Sequence, residues 1–76
     1  MKIQILGTGC PKCKLLYANA VKAAEQAGIQ FEIEKVEDIM KIMDFGVMIT
    51  PALAIDGEVK SAGKVLTVEE IKALFN

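Results

Sequence analysis

Between residues 6 and 11 the apolar period of this chain changes. Lys2-Ile3-Gln4-Ile5-Leu6 alternates polar and apolar residues, the pattern of a strand with Ile3 and Ile5 on one face. Gly7-Thr8-Gly9 interrupts it. From Pro11 onward Cys13, Leu16, Tyr17, Ala20, Val21 and Ala24 recur at helical spacing as one apolar stripe. Lys12, Asn19, Lys22 and Gln26 fall on the opposite side. Pro11 suits the first helical position, where its missing N–H would be unpaired anyway. Gly28 suits a left-handed C-terminal cap. A second strand reached through that helix should lie parallel to the first, by a right-handed crossover.

The rest of the chain completes the pattern. Ile29 to Val36 alternates, with Ile29, Phe31 and Ile33 on one face. Glu37 to Phe45 reads as a short helix with acids in its first turn, ended by Gly46. Ala52-Leu53-Ala54-Ile55 reads as a strand, Asp56-Gly57 as a two-residue hairpin turn, and Glu58-Val59-Lys60 as the return strand. Ser61-Ala62-Gly63-Lys64 reads as a loop. Thr67-Val68-Glu69-Glu70 matches a capping box, and Val68, Ile71, Leu74 and Phe75 give the last helix an apolar face. The expected class is α/β, with element order βαβαββα. It implies a four-stranded mixed sheet with helices on both faces, in one domain over residues 1–76. At 76 residues the chain has room for one modest core.

Composition removes several chemistries. There is no His, so no Ser-His-Asp or Cys-His pair and no imidazole metal ligand. There is no Arg, and the net charge is −1, which argues against nucleic acid as a partner. No apolar run approaches the ~18–20 residues that would span a bilayer. The first residues lack the apolar stretch of a signal peptide, so a soluble cytoplasmic protein is expected. Charge is uneven. Residues 1–24 hold Lys2, Lys12, Lys14 and Lys22 and no acid, and the ten acids all follow.

The two cysteines, Cys10 and Cys13, form a C-x-x-C pair at the start of the long helix. Cys10 falls at the helix N-terminus, where free N–H groups and the helix dipole stabilise a thiolate. Lys12 and Lys14 lie within a turn of it; Lys12 reads either as a tuning charge or as a solvated helix position. Cys13 shares the stripe of Leu16 and Tyr17 and should be buried. An exposed thiolate beside a buried thiol is arranged to form a mixed disulfide and then resolve it. That reading makes the chain a thiol–disulfide oxidoreductase with no cofactor beyond a reversible Cys10–Cys13 disulfide. Two rivals use the same thiols: a soft-metal, copper-type chaperone, or a non-catalytic redox-sensing interaction domain. Copper chaperones of the ferredoxin-like type run βαββαβ and end on a strand, unlike this chain. No resident metal site is expected. Tyr17 reads as core, and Met40, Met43 and Met48 read as core filling.

Gly9-Cys10-Pro11-Lys12-Cys13 after a strand, Thr50-Pro51 before a later strand, and Gly63 after the hairpin resemble the thioredoxin and glutaredoxin superfamily. The chain looks most like the small stand-alone thioredoxin-like proteins of bacteria and archaea, also called small redox-active disulfide proteins. The resemblance implies catalytic Cys10 and Cys13, with Pro11 and Lys12 between them tuning the thiolate. It implies that Pro51 is cis and lies against the pair, and that Thr50 presents its backbone to a substrate as an added strand. It implies disulfide-containing proteins as substrates and a monomeric reductase. Ordinary thioredoxins place Trp before the first Cys, where this chain has Gly9. They also keep a buried acid behind the motif, but no acid precedes Glu25 here. The glutathione-binding Gly-Gly-x-x-Asp segment of glutaredoxins is replaced by Ser61-Ala62-Gly63-Lys64. That favours a thioredoxin-reductase-like flavoprotein over glutathione as reductant.

Overall fold

A computed structural model of the protein describes residues 1–75. Its elements are β1 (Lys2–Leu6), α1 (Pro11–Ala27), β2 (Glu32–Val36), α2 (Ile39–Asp44), β3 (Ala52–Ile55), β4 (Glu58–Ala62) and α3 (Val68–Ala73). The expected order βαβαββα therefore stands. The sheet runs β2-β1-β3-β4. β1 pairs with β2 in parallel and with β3 antiparallel, and β3 and β4 form the antiparallel hairpin.

Side-chain alternation on β1 sends its residues to two cores. Ile3 and Ile5 pack with Leu16, Ala20 and Ala24 of α1, Leu53 of β3 and Ile71 of α3. Leu6 points the other way and packs with Val36, Ile42 of α2, Val47 and Ala52. So α1 and α3 cover one face and α2 covers the other. Fully burying a side chain of this size contributes about 1.5–3 kcal/mol. β3 is buried at every position because it lies inside the sheet with both faces covered.

Several boundaries differ from the sequence reading, each for a local reason. β2 begins at Glu32, three residues after Ile29. β1 starts at Lys2, so its parallel partner has nothing to pair with before Glu32, whose N–H donates to the Met1 carbonyl at 2.9 Å. Ile29 and Phe31 still pack half-buried on the larger core. β4 runs on to Ala62, through two residues read as loop. An irregularity opposite Leu53 and Ala54 leaves Lys60 without a partner, and Ser61 and Ala62 then pair with Leu53 and Ala52. α2 is shorter than Glu37–Phe45, because Asp38 caps it and accepts a hydrogen bond from the Met40 N–H. The α1 stripe is broader than expected, since α3 as well as the sheet lies on it. Ala23 is fully buried, and Asn19 Nδ2 donates to the Leu66 carbonyl at 2.9 Å.

The methionines are the clearest correction. Met40, Met43 and Met48 do not fill the core; they are 68%, 62% and 94% exposed. Met40 and Met43 lie on α2, which spans only six residues and buries one of them, Ile42, and Met48 lies in the loop that follows. The capping expectations are met. Thr67 and Glu70 form both bonds of the capping box, and Gly28 caps α1 at φ +68.

Candidate active site

Cys10 is the N-cap of α1, in extended conformation (φ −68°, ψ 164°), with Pro11 at the first helical position. Its carbonyl accepts the Lys14 N–H at 3.1 Å, which begins the helix. Its side chain makes no capping hydrogen bond of full geometry. Cys13 follows one turn later on the buried face, 5% exposed, while Cys10 is half-buried. Both are free thiols, and their Sγ atoms lie 2.7 Å apart in a shared hydrogen bond.

The two thiols differ in acidity. Cys10 is held below the ordinary thiol range, first by the hydrogen bond from the Cys13 thiol. The backbone N–H groups of Cys13 and Lys12 then add to it, as a helix N-terminus should. Burial pushes Cys13 upward, and its bond to Cys10 pushes the same way. Lys12 thus reaches the Cys10 sulfur through its backbone N–H; its ammonium is not among the causes of the shift.

The Thr50-Pro51 bond is cis and Pro51 is fully buried. Its carbonyl accepts the Gly63 N–H at 2.8 Å, which ties the start of β3 to the end of β4. Pro51 Cα and the Cys13 Sγ both border the point where a Cβ on Gly7 would sit. The end of β1, the first turn of α1 and the start of β3 thus meet there. Thr50 is exposed on the outer side of that junction. It lines an apolar groove of about 550 Å³ with Thr8, Ile39, Met43 and Met48.

A second cleft, of about 230 Å³, opens on Cys13 between Gly7, Lys14, Lys35 and Glu37. The acid-free stretch before Glu25 does not keep acids away in space. The pairing of Leu6 with Val36 carries Glu37 beside the loop, where a Cβ on Gly9 would stand 3.1 Å from its Oε2. Lys35 Nζ lies 4.9 Å from the centroid of the Tyr17 ring. Among the described residues no group of three or more His, Cys, Asp and Glu side chains is placed to hold a metal ion. No helix among them is long and apolar enough to cross a membrane.

The structure brings Cys10, Cys13, Pro11 and Pro51 together and sets Thr50 at the groove beside them. Sequence reasoning passed over Gly7, Glu37 and the exposed methionines. Only Gly7 left a signal, a glycine at the end of the first strand and three residues ahead of Cys10. Glu37 and the methionines belong to segments whose local pattern says helix or core.

Residues 1–76 match the family model of the thioredoxin domain. A curated thioredoxin of Methanothermobacter thermautotrophicus is 45% identical over 76 residues, covering 100% of this chain and 99% of the relative. One of Methanocaldococcus jannaschii is 49% identical over 70 residues, 92% of this chain and 80% of the relative. A probable thioredoxin of Methanothermobacter marburgensis is 33% identical over 57 residues, 71% and 67% respectively.

Proposed function

Because this chain belongs to the thioredoxin family and is a thioredoxin-type redox protein, we propose that it reduces protein disulfides by dithiol exchange at Cys10-Pro11-Lys12-Cys13. The observation that carries the reading is the asymmetric thiol pair. One sulfur is accessible and acidified, its neighbour at 2.7 Å is buried and held protonated.

The Cys10 thiolate attacks one sulfur of a target disulfide. A Cys10–target bond forms, and the other target sulfur leaves as a thiolate that takes a proton from water. Cys13 then gives up its proton and attacks Cys10 Sγ. The Cys10–Cys13 bond forms, the Cys10–target bond breaks, and the second target sulfur leaves and is protonated. The target has gained two electrons from the pair and two protons, one from water and one matched by the proton that Cys13 releases.

Pro11 starts α1 without an N–H to satisfy, and the Lys12 N–H supports the thiolate. Thr50 offers its backbone to an extended target segment, and Pro51 forms the floor beside Cys13. The apolar groove along Ile39, Met43 and Met48 supports targets with an exposed apolar stretch. A thioredoxin-reductase-like flavoprotein returns the electrons, in the cytoplasm, with no bound cofactor in this chain.

The test is trapping on an insulin-type disulfide substrate. Cys13→Ser should accumulate a mixed disulfide, and Cys10→Ser should not. If neither variant traps and a soft metal copurifies with the wild-type protein, the dithiol reading is overturned. Reduction of the oxidised protein by glutathione, and not by a flavoprotein reductase, would overturn the proposed electron donor.

A further inference from the structure

Gly7 ends the ladder of β1, and its N–H donates to the Val36 carbonyl at 2.9 Å. Five other glycines take positive φ, a reason for glycine that involves no neighbour. Gly7 is not among them, so a left-handed backbone is not its reason. It is buried, so flexibility in solvent does not explain it either. What sets Gly7 apart is the space over its Cα. A Cβ built there would overlap the Cys13 Sγ far inside van der Waals contact. It would also meet the Cys13 Cβ at 3.4 Å and the Pro51 Cα at 3.8 Å. The last two are ordinary contacts, so the conflict is with the sulfur alone.

We propose that Gly7 is a positioning residue for disulfide closure: its missing side chain is the space that seats Cys13 Sγ within 2.7 Å of Cys10 Sγ. The backbone under the sulfur cannot withdraw. It is held by the bond to Val36 on one side and by α1, which is packed on the sheet, on the other. A methyl at residue 7 therefore turns the Cys13 side chain, and the sulfur leaves the line of attack on Cys10. A displacement of about 1 Å in a reacting atom slows a positioned reaction by roughly 10²-fold. The inference rests on the dithiol-exchange reading, but its test needs no protein substrate.

The probe is an aromatic disulfide, 5,5′-dithiobis(2-nitrobenzoate), mixed rapidly with the reduced protein. Cys10 attack releases the first chromophore and leaves a mixed disulfide. Cys13 attack on Cys10 Sγ releases the second and forms the Cys10–Cys13 bond. Gly7→Ala should slow the second phase roughly 10²-fold relative to the first. Thermal melting supplies the control. In a Cys13→Ala background the conflicting sulfur is gone, so Gly7→Ala should leave the melting temperature unchanged there. If Gly7→Ala alone does not fold, the Gly7→Ala/Cys13→Ala double variant should. An unaltered ratio of the two phases, or an equal melting loss with and without the Cys13 sulfur, overturns the assignment. Failure of the proposed function would look different: no mixed disulfide trapped on protein targets, whatever residue 7 is.

Discussion

Gly63→Ala should loosen the corner that holds Pro51, by two costs that can be separated. Gly63 sits at φ +77°, where a residue with a Cβ costs roughly 1–2 kcal/mol. The new Cβ would also stand 2.8 Å from Ile49 Cγ2 and 3.5 Å from Ile49 Cβ. Ile49 is 64% exposed, so its methyl has solvent to swing into. That places the steric part near 1 kcal/mol, the low end for overpacking. The Gly63 N–H bond to the Pro51 carbonyl does not involve the side chain, so no third cost enters. The sum is about 2–3 kcal/mol. With a urea m-value of about 1.5 kcal/mol/M, the midpoint should fall by about 1–2 M with m unchanged. The assay is urea unfolding of the wild type, Gly63→Ala, Ile49→Ala and the double variant. Removing the Ile49 side chain beyond Cβ should return about 1 kcal/mol of the loss and leave the backbone part. A Gly63→Ala midpoint equal to wild type would refute the whole argument. A loss undiminished in the Ile49→Ala background would refute its steric half.

Other outcomes follow from the same structure. Leu53→Ala empties a fully buried position on an inner strand and should cost about 3–4 kcal/mol. That is about 15–25 °C in melting temperature, and a loss under about 1 kcal/mol would contradict the packing described. Thr67→Ala removes the capping hydroxyl of α3 and should cost about 1 kcal/mol, read as a fall of about 4–8 °C. The same cap holds the Glu70 carboxyl below its usual range, through the bonds from Thr67. A depressed folded-state value favours the native state above the ordinary carboxylate range, and this is lost as pH falls through the folded value. Glu70→Gln should therefore flatten the acid side of the stability profile, and an unchanged acid limb would count against that linkage. Iodoacetamide alkylation of Cys10 should titrate below the free-thiol value of about 8.5 and move up in Cys13→Ala, because the Cys13 thiol is the first cause of the shift. Lys12→Ala should leave that midpoint in place; a rise of about one unit would give the Lys12 ammonium the role now assigned to its N–H.

Much of this fold lies in local pattern. The change of period after Leu6, the proline at the first position of α1 and the Thr67 to Glu70 box each depend on residues within a turn or two. So do the hairpin at Asp56-Gly57 and the Gly28 cap. Their physics is short-ranged, so the sequence carries it directly. The extents of β2 and β4 are different. β2 starts where β1 offers its first partner, and β4 continues because a bulge brings Ser61 and Ala62 into register. The exposure of Met40 and Met43 on α2 has the same origin. Hydrophobic spacing says that α2 has an inward side, but the small patch of sheet beneath it has room for Ile42 alone.

The cysteine pair divides along the same line. That Cys10 would cap a helix and Cys13 would lie on its buried stripe follows from helical spacing, and from the sequence comes their asymmetry. The order of the causes does not. The sequence points to the helix N-terminus and nearby lysines, whereas in the folded chain the Cys13 sulfur comes first, backbone N–H groups follow, and no lysine ammonium is among the causes. A hydrogen bond acts over 2.7 Å in a partly dry site, and exposed ammonium groups act through water. Likewise no local rule brings Pro51 and Gly7 to one point, or carries Glu37 to the rim of the Cys13 cleft. Residues 44 apart in the chain, Gly7 and Pro51, become neighbours only through the pairing of β1 with β3. The sequence alone determined the order of the elements and the asymmetry of the two thiols. Tertiary structure decided what touches them, because contact across a sheet depends on register and not on spacing along the chain.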